Sequence, residues 1–328
     1  MSATATRKTV AVMLLIPAVV AFALWAFAWP AARIAPRELP IAIAGPPAAT
    51  APLEQRLAAH PDAFDVHRYE DVAAARAAIE DRTVYGAIVA TPTGPELLTA
   101  TAASPVVAGL LREAVATQLP AGTAPRVTDV VAAPAADPRG AVLAAGLLPL
   151  ALAGAASGIA VTVLGLRGAR AAAALTGAAV LAGLVGAALA DSWLGAFAGS
   201  WWAEAGVLAL TVLAVGSTLA GLAALLGRPG LGLGAVLMIL LGNPFSGISS
   251  APELLPAPVG VLGQWLPPGA AGTALRSVAY FDGAGAGSAV LVLAVWAVAG
   301  LAAVLAGARR AAALNGEAAA RSALAPAV

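Results

Sequence analysis

Residues 205–227 read AGVLALTVLAVGSTLAGLAALLG, a stretch of 23 residues that contains no ionisable side chain. A helix of this length rises about 1.5 Å per residue and covers about 30 Å, which is the thickness of the hydrocarbon core of a bilayer. Five further apolar stretches without charge accompany it: Val10–Trp29, Ala141–Leu166, Ala171–Ala190, Pro229–Ile248 and Ala286–Gly307. The sequence therefore predicts an all-α polytopic membrane bundle of six transmembrane helices.

The composition agrees with a membrane location and excludes several kinds of site. Hydrophobic residues make up 60% of the chain and charged residues 11%, which differs from the balance of soluble globular proteins. A net charge of +1 offers no basic surface for nucleic acid. The chain has no cysteine, and its two histidines, His60 and His67, form no metal-binding motif, so no metal or catalytic site is expected.

The six stretches contain no carboxylate or histidine that could bind a coupling ion inside the membrane. The sequence therefore disfavours an ion-coupled transporter and an intramembrane enzyme.

Lysine and arginine are distributed unequally about the six stretches. With the N-terminus in the cytoplasm, the short outer loops carry only Arg276, whereas eight basic residues lie on the inner face: Arg7, Lys8, Arg167, Arg170, Arg228, Arg309, Arg310 and Arg321. Short cytoplasmic loops are enriched in these residues. We therefore expect both termini in the cytoplasm and residues 30–140 outside. The fifth stretch has only 14 residues before Asn243-Pro244, but the same charge count favours its crossing.

The first stretch allows two interpretations. Arg7-Lys8, the apolar run and the triplet Ala26-Phe27-Ala28 are compatible with a cleaved signal peptide. The run of about 20 apolar residues is longer than a usual signal-peptide core, which favours an uncleaved anchor.

Residues 30–140 are predicted to form a small extracytoplasmic α/β domain. Its strands are predicted from short apolar runs, some of which alternate with polar residues. Its helices are predicted from apolar residues at helical spacing, with acidic residues or Ser104-Pro105 at the start. The predicted strands are Leu39–Ala44, Phe64–Tyr69, Val84–Ala90, Glu96–Ala102 and Arg126–Ala132, and the predicted helices are Pro52–His60, Glu70–Arg82 and Pro105–Leu119.

Small residues recur at helical spacing in the second and third stretches, for example Gly154 with Gly158 and Gly183 with Ala187. In lipid such positions let helices approach closely. They predict tight packing within the chain, with a dimer contact as the alternative.

Residues 243–285, between the fifth and sixth stretches, are rich in proline and glycine yet strongly apolar. Two helices are predicted, near Pro258–Leu266 and Ala270–Tyr280. Apolar broken helices at membrane depth are tolerated where they pack against protein. We therefore expect a re-entrant or interfacial helical hairpin on the outer side; a surface loop with interfacial aromatic residues is the alternative.

This segment also carries a family resemblance. The run Asn243-Pro244-Phe245-Ser246-Gly247, followed by Pro252, Leu255-Pro256, Trp265-Leu266-Pro267-Pro268-Gly269, Arg276 and Tyr280-Phe281, resembles the C-terminal signature of ABC-2-type permeases, in particular the phage infection protein-like (YhgE/Pip) branch. The order of one span, an outer domain and five further spans is similar to that branch, as are Val84-Tyr85-Gly86-Ala87 and the segment leading to Ser104-Pro105. Residues 30–140 are shorter than the outer domains of many relatives.

The resemblance implies the transmembrane subunit of an exporter in the bacterial plasma membrane. Such permeases form homodimers or heterodimers and receive energy from a separate ABC ATPase, on which Mg-ATP would bind. This chain contains no GxxxxGK[ST] phosphate loop and no cofactor site of its own. The expected cargo is hydrophobic or amphipathic. The alternative function is a non-transporting receptor or scaffold that binds an envelope ligand through residues 30–140.

The predicted organisation is therefore residues 1–29 as cytoplasmic N-terminus and first helix, 30–140 as outer domain, 141–307 as the remaining helices with the hairpin at 243–285, and 308–328 as cytoplasmic tail. The gating candidates lie in the hairpin: Asn243, Pro244, Ser246, Gly247, Pro256, Trp265, Pro267, Arg276 and Tyr280. From the topology, Arg7, Lys8, Arg167 and Arg170 are the candidates for coupling to the ATPase.

Overall fold

The computed structural model describes residues 3–59, 61–91, 94–117 and 125–323. Its helices are α1 (Ala3–Ala32), α2 (Pro47–Ala58), α3 (Val72–Glu80), α4 (Pro105–Ala116), α5 (Ala141–Val163), α6 (Gly168–Ala187), α7 (Trp201–Leu226), α8 (Arg228–Ala235), α9 (Val259–Gln264), α10 (Pro267–Tyr280) and α11 (Ala286–Ala323). Wider π-helical turns extend α6 over Ala188–Trp193 and α8 over Val236–Leu241.

Five helical segments in this part of the chain are long and apolar enough to cross a membrane: Thr9–Ala32, Ala141–Val163, Gly168–Trp193, Trp201–Leu226 and Ala286–Gly316. The prediction of a helical membrane bundle with a small α/β sheet is confirmed in this coarser form, and the chain is compatible with a multi-pass membrane protein.

The prediction of a sixth span-length helix at Pro229–Ile248 is wrong. Residues Arg228–Leu241 form α8 and its π-helical turn, 14 residues that cover at most about 21 Å. The helix ends where Gly242 packs against Pro268, since a Cβ added at Gly242 would lie 2.7 Å from Pro268 Cγ. Beyond Leu241 the chain turns into the hairpin.

Helix α7 is the centre of the bundle and contacts α5, α6, α8, α10 and α11. In its most apolar window 72% of the residues are buried, against 6% in α1. Glycines permit the close approach: a Cβ at Gly158 would lie 2.6 Å from the carbonyl oxygen of Gly216, and one at Gly183 would lie 2.7 Å from Ala209 Cβ. The predicted packing within the chain through small residues is thus confirmed at these positions.

The α/β domain contains a five-stranded sheet in the order β2-β1-β3-β4-β5. Its strands are β1 (Leu39–Ala44), β2 (Phe64–Tyr69), β3 (Gly86–Thr91), β4 (Gly94–Thr99) and β5 (Arg126–Asp129). Strand β1 runs parallel to β2 and β3, β3 and β4 are antiparallel, and β4 and β5 are parallel. The five predicted strands are confirmed, with ends shifted by up to three residues.

Alternate side chains of the sheet face different helices, as the strand period requires. Ala42 and Ala44 pack with α3, whereas Ile41 packs with α2 and α4. Two helix starts are capped by side chains: Asp71 accepts a hydrogen bond from Ala74 N (2.8 Å) and Ser104 accepts one from Val107 N (3.1 Å). The predicted helices are confirmed over the described residues, although α2 begins at Pro47, five residues earlier than expected. The predicted ends at His60 and Leu119 lie outside the described residues.

The hairpin, residues 243–285, contains a 3₁₀ turn at Pro252–Leu254, then α9 and α10, so both predicted helices are confirmed. Its tip enters the bundle. Trp296 Nε1 donates a hydrogen bond to the carbonyl oxygen of Trp265 (2.8 Å), and Trp296 lies about 15 Å along α11 from its first residue. Ile248 packs in the same core cluster as Leu147. The segment is therefore a helical hairpin packed on the bundle rather than a surface loop, and its re-entrant or interfacial position in a membrane stays a prediction.

Helix α1 stands apart from the bundle over most of its length. Its apolar side chains over residues 10–20 are exposed on all sides, whereas Ala26 is buried. Trp25, which stacks on Trp29 at 5.6 Å, contacts Phe245 of the hairpin at 6.4 Å between ring centroids. In a bilayer, such a helix would be covered by lipid or by another chain.

Candidate functional site

The candidate site lies where the α/β domain meets the hairpin. Tyr85 at the start of β3 donates a hydrogen bond from its hydroxyl to Glu253 Oε2 (2.8 Å). The backbone N–H of Arg37 donates to the carbonyl oxygen of Glu253 (2.9 Å), and Arg37 Nη1 donates to that of Leu254 (2.8 Å). The sheet and the hairpin are therefore joined directly by polar contacts.

Arg82 is the second bridge between the two regions. Its Nη1 donates to the carbonyl oxygen of Thr273 (3.0 Å) and to Ser277 Oγ, and its guanidinium lies 5.3 Å from the centre of the Phe281 ring. Within the described residues, Nε and Nη2 make no hydrogen bond. Arg82 thus spans the junction, and two of its three guanidinium nitrogens have no hydrogen-bond partner among the described residues.

The backbone at Arg82 has an unusual conformation for its residue type. Its φ of 58° is left-handed, and the bonds from Thr83 N to Ala78 O and from Arg82 N to Ile79 O close α3 in the motif that usually has glycine at this position. A side chain in this conformation costs about 1–2 kcal/mol. Arginine stands here despite that cost, and its side chain reaches the hairpin.

Arg276 places a second positive charge close by, in α10. Only 6% of its surface is exposed, and its Nη2 donates to the carbonyl oxygen of Ile248 (2.8 Å). No carboxylate of the described residues lies within 4.0 Å of Arg276 or Arg82. Because a buried charge is costly without an ionic partner, the junction is a place where an anion would be stabilised.

The electrostatics agree with this geometry. Burial, and then the nearby charge of Arg276, lower the pKa of Arg82 to about 10. Burial likewise lowers the pKa of Arg276, and burial followed by the charge of Glu253 raises the pKa of Tyr85. Arg82 therefore remains protonated at neutral pH and Tyr85 remains neutral.

A cavity of about 550 Å³ opens at this junction. Its polar wall is formed by the α3–β3 connection and the hairpin, and its apolar wall by the first turns of α11. The lining includes Arg82, Tyr85, Glu253, Gln264, Trp265, Thr273, Ser288, Leu291 and Val292. The volume lies within the range of small-molecule sites.

The gating residues predicted from the sequence occupy different parts of the hairpin. Trp265 lines the cavity, whereas Arg276 is buried and lines a separate cavity of about 30 Å³ together with Ile248 and Tyr280. Ser246 Oγ donates to the carbonyl oxygen of Asn243 (2.6 Å), and the carbonyl oxygen of Ser246 accepts from Gln264 Nε2 (3.0 Å). Gln264 Oε1 in turn accepts from Thr273 Oγ1 (2.7 Å). This polar chain supports the hairpin from within.

The remaining candidates of the hairpin shape its turns. Gly247 has a φ of 66°, and a Cβ there would lie 2.6 Å from Pro252 N, so only glycine fits. Pro244 lies in the turn that follows Gly242, the carbonyl oxygen of Pro256 accepts from Val259 N, and Pro267 is the first residue of α10. Tyr280 donates its hydroxyl to the carbonyl oxygen of Ala196 (3.0 Å), which holds the end of α10 to the α6–α7 connection.

The coupling candidates lie far from this junction along the helices. Arg167 and Arg170 flank the α5–α6 turn at the end of the bundle remote from the sheet, and Arg167 lines a cavity of about 220 Å³ together with Gly307. Arg7 is exposed near the start of α1. The side chain of Lys8 lies outside the described residues.

One expectation about charge is corrected by the structure. Helix α7 begins at Trp201 rather than near Ala205, so Glu204 lies within a span-length helix and is fully buried. Its Oε1 accepts from Gly199 N (3.1 Å), and its Oε2 has no partner among the described residues. Asp191 lies within Gly168–Trp193, so the segments that could cross the membrane are not free of carboxylates.

Sequence reasoning did not select Arg82, Tyr85, Glu253 or Glu204 as site residues. The signal at Arg82 was an arginine directly after a helix, where glycine is usual; the signal at Glu204 was Ser200, a residue type that favours helix starts. Tyr85 and Glu253 are separated by 168 positions and carried no signal in either segment.

A second cavity, of about 740 Å³, lies within the α/β domain. Apolar side chains of α2, α4 and the sheet line it, among them Leu53, Leu57, Phe64, Ile88 and Leu111.

Among the described residues, no three histidine or acidic side chains are grouped so that they could hold a metal ion. No family model, curated protein or solved structure matches the chain.

Proposed function

We propose that this chain is the transmembrane subunit of an ABC-2-type exporter, which moves a hydrophobic or amphipathic substrate with energy from a separate ATPase. The observation that carries the proposal is the hairpin, which enters one end of the bundle and is hydrogen-bonded to the α/β domain at the same end. Such an element can close a pathway at that end and open when the helices move.

The energy source follows from what the sequence lacks. The 328 residues contain no phosphate-binding loop. In the proposed topology α8 and the hairpin together would make the fifth of six crossings, so that both termini and the Arg167–Arg170 turn face the cytoplasm. An ATPase would bind there, with Mg-ATP, and a second permease chain would complete the transporter in the bacterial plasma membrane. The sheet and the hairpin would then lie on the outer side.

The test uses the full-length chain in membrane vesicles together with the ATPases encoded beside its gene. We expect one ATPase to co-purify with the chain and to drive flux of a fluorescent amphiphile that stops when its catalytic residues are changed. Arg276→Ala should reduce flux while membrane insertion is preserved, and Arg112→Gln, an exposed change on α4, should not. Movement of solute by the chain alone along an ion gradient would contradict the proposal.

The alternative, a receptor that binds an envelope ligand through residues 30–140, is favoured by the 740 Å³ apolar cavity in the α/β domain. A bulky change at its wall, Leu57→Trp, distinguishes the two functions. A receptor should lose ligand binding in this variant, whereas an exporter that uses the junction should retain its flux.

A further inference from the structure

The junction between sheet and hairpin has an excess of positive charge that the chain itself does not neutralise. Arg82 and Arg276 have no carboxylate within 4.0 Å among the described residues, and Glu253 accepts the hydroxyl of Tyr85. Isolated buried charges of one sign are unfavourable, so a ligand that completes this cluster should be an anion.

The geometry of Arg82 specifies how the anion would bind. Elsewhere in the domain, Arg68 uses Nε and Nη2 together to hold both carboxylate oxygens of Glu54, at 2.9 and 2.8 Å. The same two nitrogens of Arg82 have no hydrogen-bond partner among the described residues, and Arg82 lines the 550 Å³ cavity. A planar guanidinium fork of this kind matches two oxygens of a phosphate or carboxylate group.

The opposite wall of the cavity is apolar and continues onto the exposed surface of the bundle. Leu291 on this wall is 63% exposed, and with Val295 and Val298 it forms a stripe along α11. Trp265, which is 68% exposed, borders the same cavity. A ligand held at Arg82 would therefore place any apolar chain along a surface that a membrane covers with lipid.

We propose that this cavity binds an anionic amphiphile, with a phosphate-type headgroup on Arg82 and its acyl chain between Trp265 and Leu291. The inference deepens the proposed function by naming the class of substrate, and it rests on that function only in treating the bound molecule as the exported one.

The test measures lipid binding to the purified full-length chain in neutral detergent, by native mass spectrometry. The probes are phosphatidylglycerol, phosphatidylcholine with the same acyl chains, and inorganic phosphate. We expect phosphatidylglycerol to bind at least about tenfold more tightly than phosphatidylcholine, because both carry a phosphodiester for the guanidinium fork but only phosphatidylglycerol brings a net negative charge to the two arginines. Inorganic phosphate should compete only weakly, since it lacks the acyl chain.

Three variants assign the site. Arg82→Asn removes the fork while placing a residue type that the left-handed backbone accepts, and it should reduce phosphatidylglycerol binding to the level of phosphatidylcholine. Ser288→Trp fills the cavity from an exposed position on α11 and should have the same effect without disturbing the core. Arg112→Gln, an arginine of the same domain outside the cavity, should bind as the unmodified chain does.

Equal binding of the two lipids, or equal losses in Arg82→Asn and Arg112→Gln, would overturn the proposal. Tight binding of inorganic phosphate, with no gain from the acyl chain, would overturn it in favour of a site for a free anion. Flux driven by ATP without specific lipid binding would contradict this inference alone. Specific binding without any flux would contradict the proposed function and leave the amphiphile site standing.

Discussion

The core of the bundle and the sheet–hairpin junction are built on opposite principles. In the core, α5, α6, α7 and α11 approach one another through glycine and alanine, as at Gly158 against Gly216, and dispersion forces hold them together. At the junction, Arg82 lines a cavity and Arg276 lies buried nearby, and among the described residues neither has a carboxylate within 4.0 Å. Glu253 accepts a hydrogen bond from Tyr85. Close packing in the core specifies one arrangement of the helices. Positive charge without an ionic partner at the junction favours the binding of an anion.

This difference indicates which residues should matter for stability and which for function. A change in the core should lower the free energy of unfolding whatever the protein does, because close-packed side chains leave no space for a larger one. A change at Arg276 or Arg82 should alter binding or transport much more than stability, since functional sites often hold groups that do not stabilise the fold. The predictions that follow test this separation, in order of expected loss of stability.

The largest effect is expected for Gly183→Leu in the α6–α7 contact. A side chain there would meet the carbonyl oxygen of Ala205 and lie 2.7 Å from the Ala209 Cβ, so the helices would have to separate. We expect a loss of about 3 kcal/mol in the free energy of unfolding. The measurement is thermal unfolding of the full-length chain in detergent.

The matched control is Gly177→Leu, in the same helix, where an added Cβ has no neighbour within 4 Å. It should be neutral or slightly stabilising, because leucine favours the helix more than glycine does. Equal losses in the two variants would show that the core does not depend on close approach of the helices.

A smaller effect is expected for Tyr85→Phe at the junction. The change removes the 2.8 Å hydrogen bond to Glu253 and leaves that carboxylate without this donor. Hydrogen bonds to charged groups contribute about 1.5–3 kcal/mol, and partial exposure of Glu253 to water places this one at the lower end. Tyr69→Phe is the control, since the structure shows no hydrogen bond from that hydroxyl among the described residues. If Tyr85→Phe lowers the free energy of unfolding no more than Tyr69→Phe does, the hydrogen bond between the sheet and the hairpin does not stabilise the fold.

Arg276→Met should separate stability from function most clearly. Methionine fills similar volume without a buried charge, so the loss of the bond to Ile248 is offset by relief of the desolvation penalty. We expect the free energy of unfolding to change by less than about 1 kcal/mol, with a loss of ATP-driven flux. Large destabilisation with a proportionate loss of flux would show that Arg276 is a structural residue. The junction would then contribute to stability in the same way as the core.

The sequence predicted the local parts of this molecule well. The strands, the acidic start of α3, the cap at Ser104 and the two hairpin helices depend on periodicity and turn chemistry within about ten residues. The length of the fifth apolar helix could not be read in this way. Its end is set by contact between Gly242 and Pro268, which are distant in sequence.

The candidate site was predicted only in part, for the same reason. Trp265 and Arg276 belong to one apolar segment and were selected as gating residues, whereas Arg82 and Tyr85 reach them from another domain. Glu204 was missed because uncharged sequence begins at Ala205, although the helix begins at Trp201. The junction site is formed by contacts between residues that are distant in sequence, which residue type alone does not reveal.

The smallest effect is expected for Arg68→Gln, which breaks the bidentate pair with Glu54 on the surface of the α/β domain. The Arg68 side chain is 72% exposed, so water and salt screen the pair, and the unfolding midpoint at neutral pH should hardly change. The hydrogen bond from Arg68 is the main cause that holds the pKa of Glu54 below its ordinary value of 4.5. A carboxyl with a depressed folded pKa contributes stability above its unfolded pKa and loses it as the pH falls through the folded value. Any difference between variant and unmodified chain should therefore shrink as the pH falls below 4.5 and be gone once the pH lies below the depressed folded pKa of Glu54. A loss at neutral pH as large as that of Tyr85→Phe would mean that burial is not what distinguishes the arginines of the junction from those of the surface.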